Sequence, residues 1–231
     1  MRYDIPLLGD ITGLDVAHLQ CHIGTDTLSL ARRGAKSVTG LDLSPESLRL
    51  ARQLADSAAG GEKVEFVEGD VYAAPQLLAC GKFDLVFTGI GALCWLPDIK
   101  RWAETVAALL KPGGQLFIRE GHPLLWALDD KVRDRLLIDY PYFETKEPLV
   151  FEYDNAYVEL APGTERKAKA TKTVEWNHGL GEIVGAVLGA GMRLTGLVEH
   201  KSIPWQALRG QMVHLGEGEW GWNVVVRLRV C

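Results

Sequence analysis

Residues 14–42 read as strand, tight turn, helix, strand and acid, and few folds accept that order. Leu14–Leu19 is an apolar run fit for a buried parallel strand. Gln20–Gly24 is a turn. Thr25–Arg33 sets Leu28, Leu30 and Ala31 on a helical period, and Gly34 follows as a stop. Lys36–Leu41 is the next strand, with Asp42 at its C-terminal end. In an open parallel sheet, ligands bind just beyond the carboxyl ends of the strands. The turn and Asp42 therefore face one crevice, where a carboxylate can accept both hydroxyls of a ribose.

The alternation continues along the chain. A helix is expected over 45–58, with Leu48, Ala51 and Leu54 on its apolar stripe. Ser44 suits its N-cap, because Pro45 then falls at the first helical position. That leaves Asp42 free. Val64–Val67 is a third strand, followed by Asp70 and a helix over 72–79. Phe83–Thr88 is continuously apolar, as expected of a central strand buried on both faces. A helix over 98–110, the turn Lys111–Gly114 and a strand over 115–119 complete this half. Residues 124–172 break the pattern with Pro141, Pro148, Pro162 and many aromatics, among them Trp126, Tyr140, Tyr142, Phe143, Phe151, Tyr153 and Tyr157. Leu149–Tyr153 and Thr171–Trp176 have strand character. Arg166–Lys169 is a short basic tip. A helix over Gly181–Gly189, with Asn177 as its expected N-cap, precedes two strands at Met192–Glu199 and Asn223–Val230.

Composition narrows the class. A chain of 231 residues suits one domain with a full core. Its 47% hydrophobic and 24% charged residues are ordinary for a soluble globular protein. A net charge of −5 argues against a nucleic-acid surface, which needs a basic patch. No run approaches about 20 apolar residues, so no membrane span is expected. Met1–Pro6 carries no apolar signal region. Cys21, Cys80, Cys94 and Cys231 lack the spacing of a zinc or redox motif, and a reduced, cytoplasmic protein is the simplest reading.

Five segments in order carry a family resemblance: residues 16–31, Gly-Leu-Asp-Leu-Ser-Pro at 40–45, Glu-Gly-Asp-Val at 68–71, Phe-Asp-Leu-Val-Phe at 83–87 and Leu-Leu-Lys-Pro-Gly-Gly-Gln-Leu at 109–116. Over about residues 12–120 the chain resembles the class I S-adenosylmethionine-dependent methyltransferases. The first motif of that family runs apolar-apolar-acid-apolar-Gly-x-Gly-x-Gly. Here His18 takes the acidic position, and Gln20, His22 and Gly24 take the three glycines. The resemblance implies an α/β, Rossmann-like three-layer sandwich. Its sheet is seven-stranded and mostly parallel, in the order 3-2-1-4-5-7-6 with the last strand antiparallel. It implies one domain, with a core over 12–120 and 173–231 and a lid over 121–172 inserted after strand five. Residues 1–13 form only a short cap in that scheme.

The resemblance also implies S-adenosyl-L-methionine as cofactor. It places His18 near the methionine moiety, with Gln20, His22 and Gly24 lining the turn. Asp42 goes to the ribose, Leu43 beside the adenine, Asp70 to the adenine amino group, Val71 against the ring, and Thr88 among the cofactor's neighbours. Gln20 and His22 should make the turn less free to adopt positive φ, and Gly24 should let the cofactor approach the backbone. Bland readings stand beside these: His18 as a strand-end polar group bonded to backbone, Asp70 as a helix cap, Trp95 as core rather than pocket wall. His18 and His22 are four apart, as in zinc helices, but Leu19 replaces the required Glu and the segment reads as strand. No metal is expected. Cys94 lacks a motif-spaced histidine, and methyl transfer needs no enzyme nucleophile. His122, at the end of strand five, is the candidate general base by its ordinary pKa, and Glu120 is second choice.

The expected activity is methyl transfer from S-adenosylmethionine to a small-molecule acceptor, by a monomer or homodimer, with no nucleic-acid or membrane partner. Two alternatives stay open: a repurposed fold that holds the cofactor without methyl transfer, and an NAD-dependent oxidoreductase, against which the absent Gly-x-Gly-x-x-Gly counts.

Overall fold

A computed structural model describes residues 4–132, 134–152, 172–203, 205–208, 212–216, 219–221 and 225–230. Tyr153, Tyr157 and the Arg166–Lys169 tip lie outside the described residues.

The first half alternates helix and strand: α1 (Ile5–Leu8), β1 (Asp15–Leu19), α2 (Thr25–Arg32), β2 (Ser37–Asp42), α3 (Pro45–Asp56), β3 (Val64–Glu68), α4 (Ala74–Leu78), β4 (Phe83–Thr88), α5 (Ile99–Leu109) and β5 (Leu110–Gly121). Then come α6 (Pro123–Trp126), the antiparallel pair β6 (Leu149–Glu152) and β7 (Lys172–Glu175), α7 (Leu180–Gly189) and β8 (Leu194–Glu199). The short strands β9 (Ser202–Ile203), β10 (Val213–Gly216) and β11 (Glu219–Gly221) make a sheet of their own before β12 (Val225–Val230). Nothing in the Gly- and Trp-rich stretch 202–221 read as strand in the sequence.

The five parallel strands lie in the order β3-β2-β1-β4-β5, the Rossmann-like arrangement expected. Beyond β5 the sheet continues with β12, antiparallel to β5, and then β8. Period-2 alternation divides the apolar side chains between two layers. Ala17, Leu19, Leu41 and Val86 face α4, α5 and α7, around fully buried Trp102. Val16, Val38, Leu85, Phe87 and Phe117 face α1 and α2, with the Phe87 and Phe117 rings stacked at 5.6 Å.

Local chemistry sets the helix ends. The Ser44 hydroxyl accepts from the Ser47 amide at 3.2 Å, so Ser44 caps α3 and Asp42 is left for other work. The helix expected over 72–79 is a 3₁₀ turn, Val71–Ala73, running into α4; Pro75 sits within the first turn of α4. Asn177 does not cap α7. Gly179 does, and the Glu182 carboxylate accepts its amide at 2.8 Å. The Asn177 side chain instead donates to the Pro123 and Pro141 carbonyls at 2.9 and 3.0 Å, tying α7 to the segment after β5.

Gly24 has φ +74°, and a Cβ there would sit 2.7 Å from Phe66 Cζ and 3.0 Å from Ala51 Cβ. Its small size therefore serves the packing of the β1–α2 turn on β3 and α3. Gly24→Ala combines left-handed strain with overpacking. It is expected to lower unfolding free energy by about 2–4 kcal/mol in urea titration; a loss below 1 kcal/mol would show that the Phe66 contact yields easily.

Candidate functional site

The crevice lies where β1 to β4 end. The chain leaves β1 through three left-handed residues: Gln20 (φ 53°), His22 (φ 50°) and Gly24 (φ 74°). The expectation that side chains at 20 and 22 would resist this backbone is overturned. The turn keeps the conformation of a glycine-rich loop, at about 1–2 kcal/mol for each non-glycine residue. Such strain persists only where the surroundings over-determine it. Here the Cys21 amide donates to the Leu41 carbonyl at 2.9 Å, and the His22 amide to Asp42 Oδ2 at 2.7 Å. The Gln20 side chain reaches the Ala92 carbonyl at 2.7 Å. The His22 side chain is exposed.

Asp42 joins two loops. Its other oxygen, Oδ1, accepts from the Ser44 amide at 2.9 Å. Each carboxylate oxygen has lone-pair capacity beyond one amide, so the group is oriented without being saturated. Beside it, Leu43 is 69% exposed, an apolar side chain on the crevice rim with little to cover it. Asp70 is exposed and accepts from the Tyr72 amide at 2.8 Å, the capping role foreseen as its alternative. Val71 and Thr88 are buried beneath the rim, and the Thr88 hydroxyl has no hydrogen-bond partner.

His18 is buried at the end of β1. Its Nδ1 is 2.8 Å from the Thr27 hydroxyl, and its ring meets Phe87 edge-on. Burial drives its pKa down to about 4, against the pull of the Asp26 and Asp42 carboxylates. A neutral imidazole thus stands where the family motif carries an acid. The acid lies nearby on another residue. A methyl group built on Gly89 would sit 3.8 Å from both His18 Nε2 and Asp26 Oδ2, so ring and carboxylate face one small space. Asp26, in the first turn of α2, gave no sequence signal beyond a helix-start acid. It lies 4.0 Å from Arg119, whose Nε pairs at 2.7 Å with fully buried Asp4. The N-terminal segment is thereby tied to β5 at the edge of the site.

The loop after β4 is organised by Glu120. Its buried carboxylate accepts the amides of Gly91 (2.5 Å), Ala92 (2.9 Å), Leu93 (3.0 Å) and Gly121 (2.8 Å). Burial raises its pKa while these four amides hold it back. Glu120 is an anchor for the loop after β4, which leaves it no place as a base. From the other flank, His178 Nε2 faces the Leu93 and Leu96 carbonyls at 3.1 and 2.8 Å, its Nδ1 lies 3.0 Å from Glu144, and the Trp176 amide donates to the Cys94 carbonyl. Trp95, on this loop, is 42% exposed and is not core. Cys94 is kept a thiol by burial, which raises its pKa. The Trp126 indole lies over Gly121, where a Cβ would come within 2.6 Å of Cζ2.

His122 spends both ring nitrogens. Nδ1 accepts from the Leu124 amide at 3.1 Å, capping α6, and Nε2 faces Glu199 at 3.4 Å. The neutral tautomer this requires has its free hydrogen on Nε2, so the ring in this pose offers no lone pair to an acceptor. In this pose His122 serves as the cap of α6 and faces Glu199.

Residues 16–114 match the model of a methyltransferase domain. These residues belong to the methyltransferase-domain family. Among curated relatives, a demethylmenaquinone methyltransferase of Lactococcus lactis is 35% identical over 121 residues, covering 51% of this chain and 46% of that protein. A ubiquinone biosynthesis O-methyltransferase of Xanthomonas oryzae is 39% identical over 111 residues, covering 47% and 44%. The chain thus spans less than half the length of these relatives. Among solved structures, an S-adenosylmethionine-dependent methyltransferase of Mesorhizobium loti superposes with a TM-score of 0.66 at 23% identity, covering 99% of this chain and 96% of that one. The fold is shared along nearly the whole chain, whereas sequence kinship concentrates in the methyltransferase domain. The rim residues Gln20, His22, Asp42, Leu43 and Asp70 all fall inside that domain. Glu120, His122 and Asn177 fall outside it. Among the described residues, no three His, Cys, Asp or Glu side chains gather as a metal site, and no helix is long and apolar enough to cross a membrane.

Within the methyltransferase domain, buried His18 gives a pH signature. Its folded pKa, about 4, lies below the 6.5 of an unfolded chain. Between these values the unfolded state binds more protons, so stability rises with pH through that window and is lost as pH falls from 6.5 to 4. The span is worth about 3 kcal/mol. Urea titrations at pH 7 and 4.5 should show a smaller loss in His18→Asn than in the wild type. An equal loss would mean His18 already shares its charge in the folded state.

Proposed function

We propose that this protein transfers a methyl group from S-adenosyl-L-methionine to a small-molecule acceptor. One observation carries the reading: an oriented but unsaturated carboxylate, Asp42, sits at a strand end between a left-handed turn and the exposed Leu43. These features suit a nucleoside with its ribose on Asp42 and its base over Leu43. Asp70 keeps an acceptor oxygen for the adenine amino group, and Val71 supports the ring from below. The turn Gln20–Gly24 and the start of α2 suit the carboxylate of an amino-acid moiety, since unpaired amides and the helix dipole favour an anion there. Asp26, beside neutral His18, suits its ammonium group and takes over from the missing acid at position 18.

When bound, S-adenosylmethionine supplies a methyl on a sulfonium and leaves as a thioether. What remains for the chain is to bind, orient and exclude water. Proximity and alignment alone can account for about 7–11 kcal/mol of such a displacement at best. The acceptor site falls between the ends of β4 and β5, on the loop Gly91–Leu96 and beside Trp126. The described parts of the expected lid, α6 and the β6–β7 pair, suit a cover for it. We assign no general base, because Glu120 is spent on backbone amides and His122 on the Leu124 amide and Glu199. Relatives named as a demethylmenaquinone methyltransferase and a ubiquinone biosynthesis O-methyltransferase support a small-molecule acceptor.

Isothermal titration of the full chain should show binding of S-adenosylmethionine and S-adenosylhomocysteine, and none of NAD. Asp42→Ala should lose more than about tenfold in affinity while staying folded, as removing a charge-assisted bond costs about 1.5–3 kcal/mol. Asp70→Ala should lose less. Binding of NAD alone would replace this reading with an oxidoreductase. Binding of S-adenosylmethionine with no turnover on any small-molecule acceptor would favour a repurposed fold.

A further inference from the structure

Gln20 stands in a left-handed conformation that glycine would adopt at no steric cost. Its side chain donates one hydrogen bond, Nε2 to the Ala92 carbonyl at 2.7 Å, between residues 72 apart in sequence. Its Oε1 is buried without a hydrogen-bond partner. A hydrogen bond returns about 0.5–1.5 kcal/mol net, while the strain costs about 1–2 kcal/mol. Stability alone therefore does not favour glutamine here. What the bond does is local. The peptide groups flanking Ala92 are gripped from two sides, the amide by Glu120 and the carbonyl by Gln20. The rest of the loop hangs on Glu120, His178 and Trp176, none of them from the turn after β1. Of these grips, Gln20 is the one that comes from the turn where the cofactor is expected.

We propose that Gln20 is a positioning residue: its side-chain amide carries the state of the cofactor turn to the loop Gly91–Leu96, so that filling the cleft orders the acceptor side. A ligand that fixes residues 20–24 then fixes the Ala92 carbonyl, and with it the neighbouring Trp95 at the mouth of the acceptor site. The result is an ordered pairing of the two substrates, cofactor first. The inference rests on the cofactor reading above.

The test is hydrogen–deuterium exchange of the full chain, with S-adenosylhomocysteine as the probe and titration calorimetry alongside. In the wild type, saturation should slow exchange of the amides in Gly91–Leu96 by roughly fivefold or more, the equivalent of one hydrogen bond held longer. Gln20→Met keeps side-chain length and removes the donor. Gln20→Gly removes the donor and relieves the strain, so it guards against a variant that fails to fold. Each variant is saturated with the probe at its own measured affinity, and should then show less than about twofold slowing in the loop. A purely structural role would loosen the loop equally with and without the probe, and would overturn the inference. So would full ligand-dependent slowing in either variant, or its absence in a wild type that binds the probe; the cofactor reading would survive each of these. A wild type that binds neither S-adenosylhomocysteine nor S-adenosylmethionine would fail the cofactor reading itself, and the inference with it.

Discussion

The Asp42 carboxylate bridges the ends of β1 and β2, and the site depends on that bridge. It accepts the His22 amide from one loop and the Ser44 amide from the next. Without the first bond, a turn with glutamine and histidine at positive φ would have little reason to stay left-handed. Without the second, the chain would enter α3 at a less fixed angle. One anion thus holds two strained or tight connections in register and still presents lone pairs to the crevice. This also accounts for the tolerance of lost glycines. The backbone conformation is imposed by partners, so glycine is convenient there but not required. Position 24 differs, because a Cβ there would collide with Phe66 and Ala51, and no hydrogen bond can remove a steric overlap.

The same device recurs in the loop after β4 with different residues. Glu120 is a buried anion with four backbone amides, an arrangement that offsets much of the desolvation a lone carboxylate would suffer. Glu182 accepts the amides of Gly179 and Glu144, and Glu144 accepts that of Ile99. The irregular connections are thereby stitched by carboxylates to the regular elements. Loops on such a scaffold can differ in sequence and still keep their geometry, which suits a fold that serves many acceptors.

The five parallel strands were legible because their signals are local. Continuous apolar runs mark buried strands, and Ser44-Pro45 marks a helix start whatever the rest of the chain does. Asp42 was legible because its place at a strand end follows from the fold. The roles of Glu120 and His178 are not legible in the sequence, because their loop partners lie 27–29 and 82–85 residues away. Side-chain direction at the end of β5 decides between a base and an anchor, and period-2 alternation does not say which face meets a loop. Asn177 failed for a related reason: the rule that makes Asn a cap is local, while its actual bonds go to Pro123 and Pro141. The small sheet over 202–221 carries glycine and tryptophan in place of alternating β-branched residues, so no period revealed it.

The placing of a neutral ring at position 18 with Asp26 nearby follows from the same physics. A carboxylate at position 18 would be buried against Phe87 with one hydroxyl, Thr27, as its near polar neighbour. A neutral imidazole meets that environment at lower cost, since burial penalises the charged form and leaves the neutral one alone. The site still needs an anion if an ammonium group is to rest beside Gly89. Asp26 supplies it from the solvent side, where its side chain keeps 28% exposure and an arginine 4.0 Å away. Charge is thus kept where hydration and Arg119 can support it, and is absent where burial would penalise it. The departure from the family motif at His18 thus leaves a carboxylate, Asp26, facing the same space, which is the charge arrangement the proposed site uses.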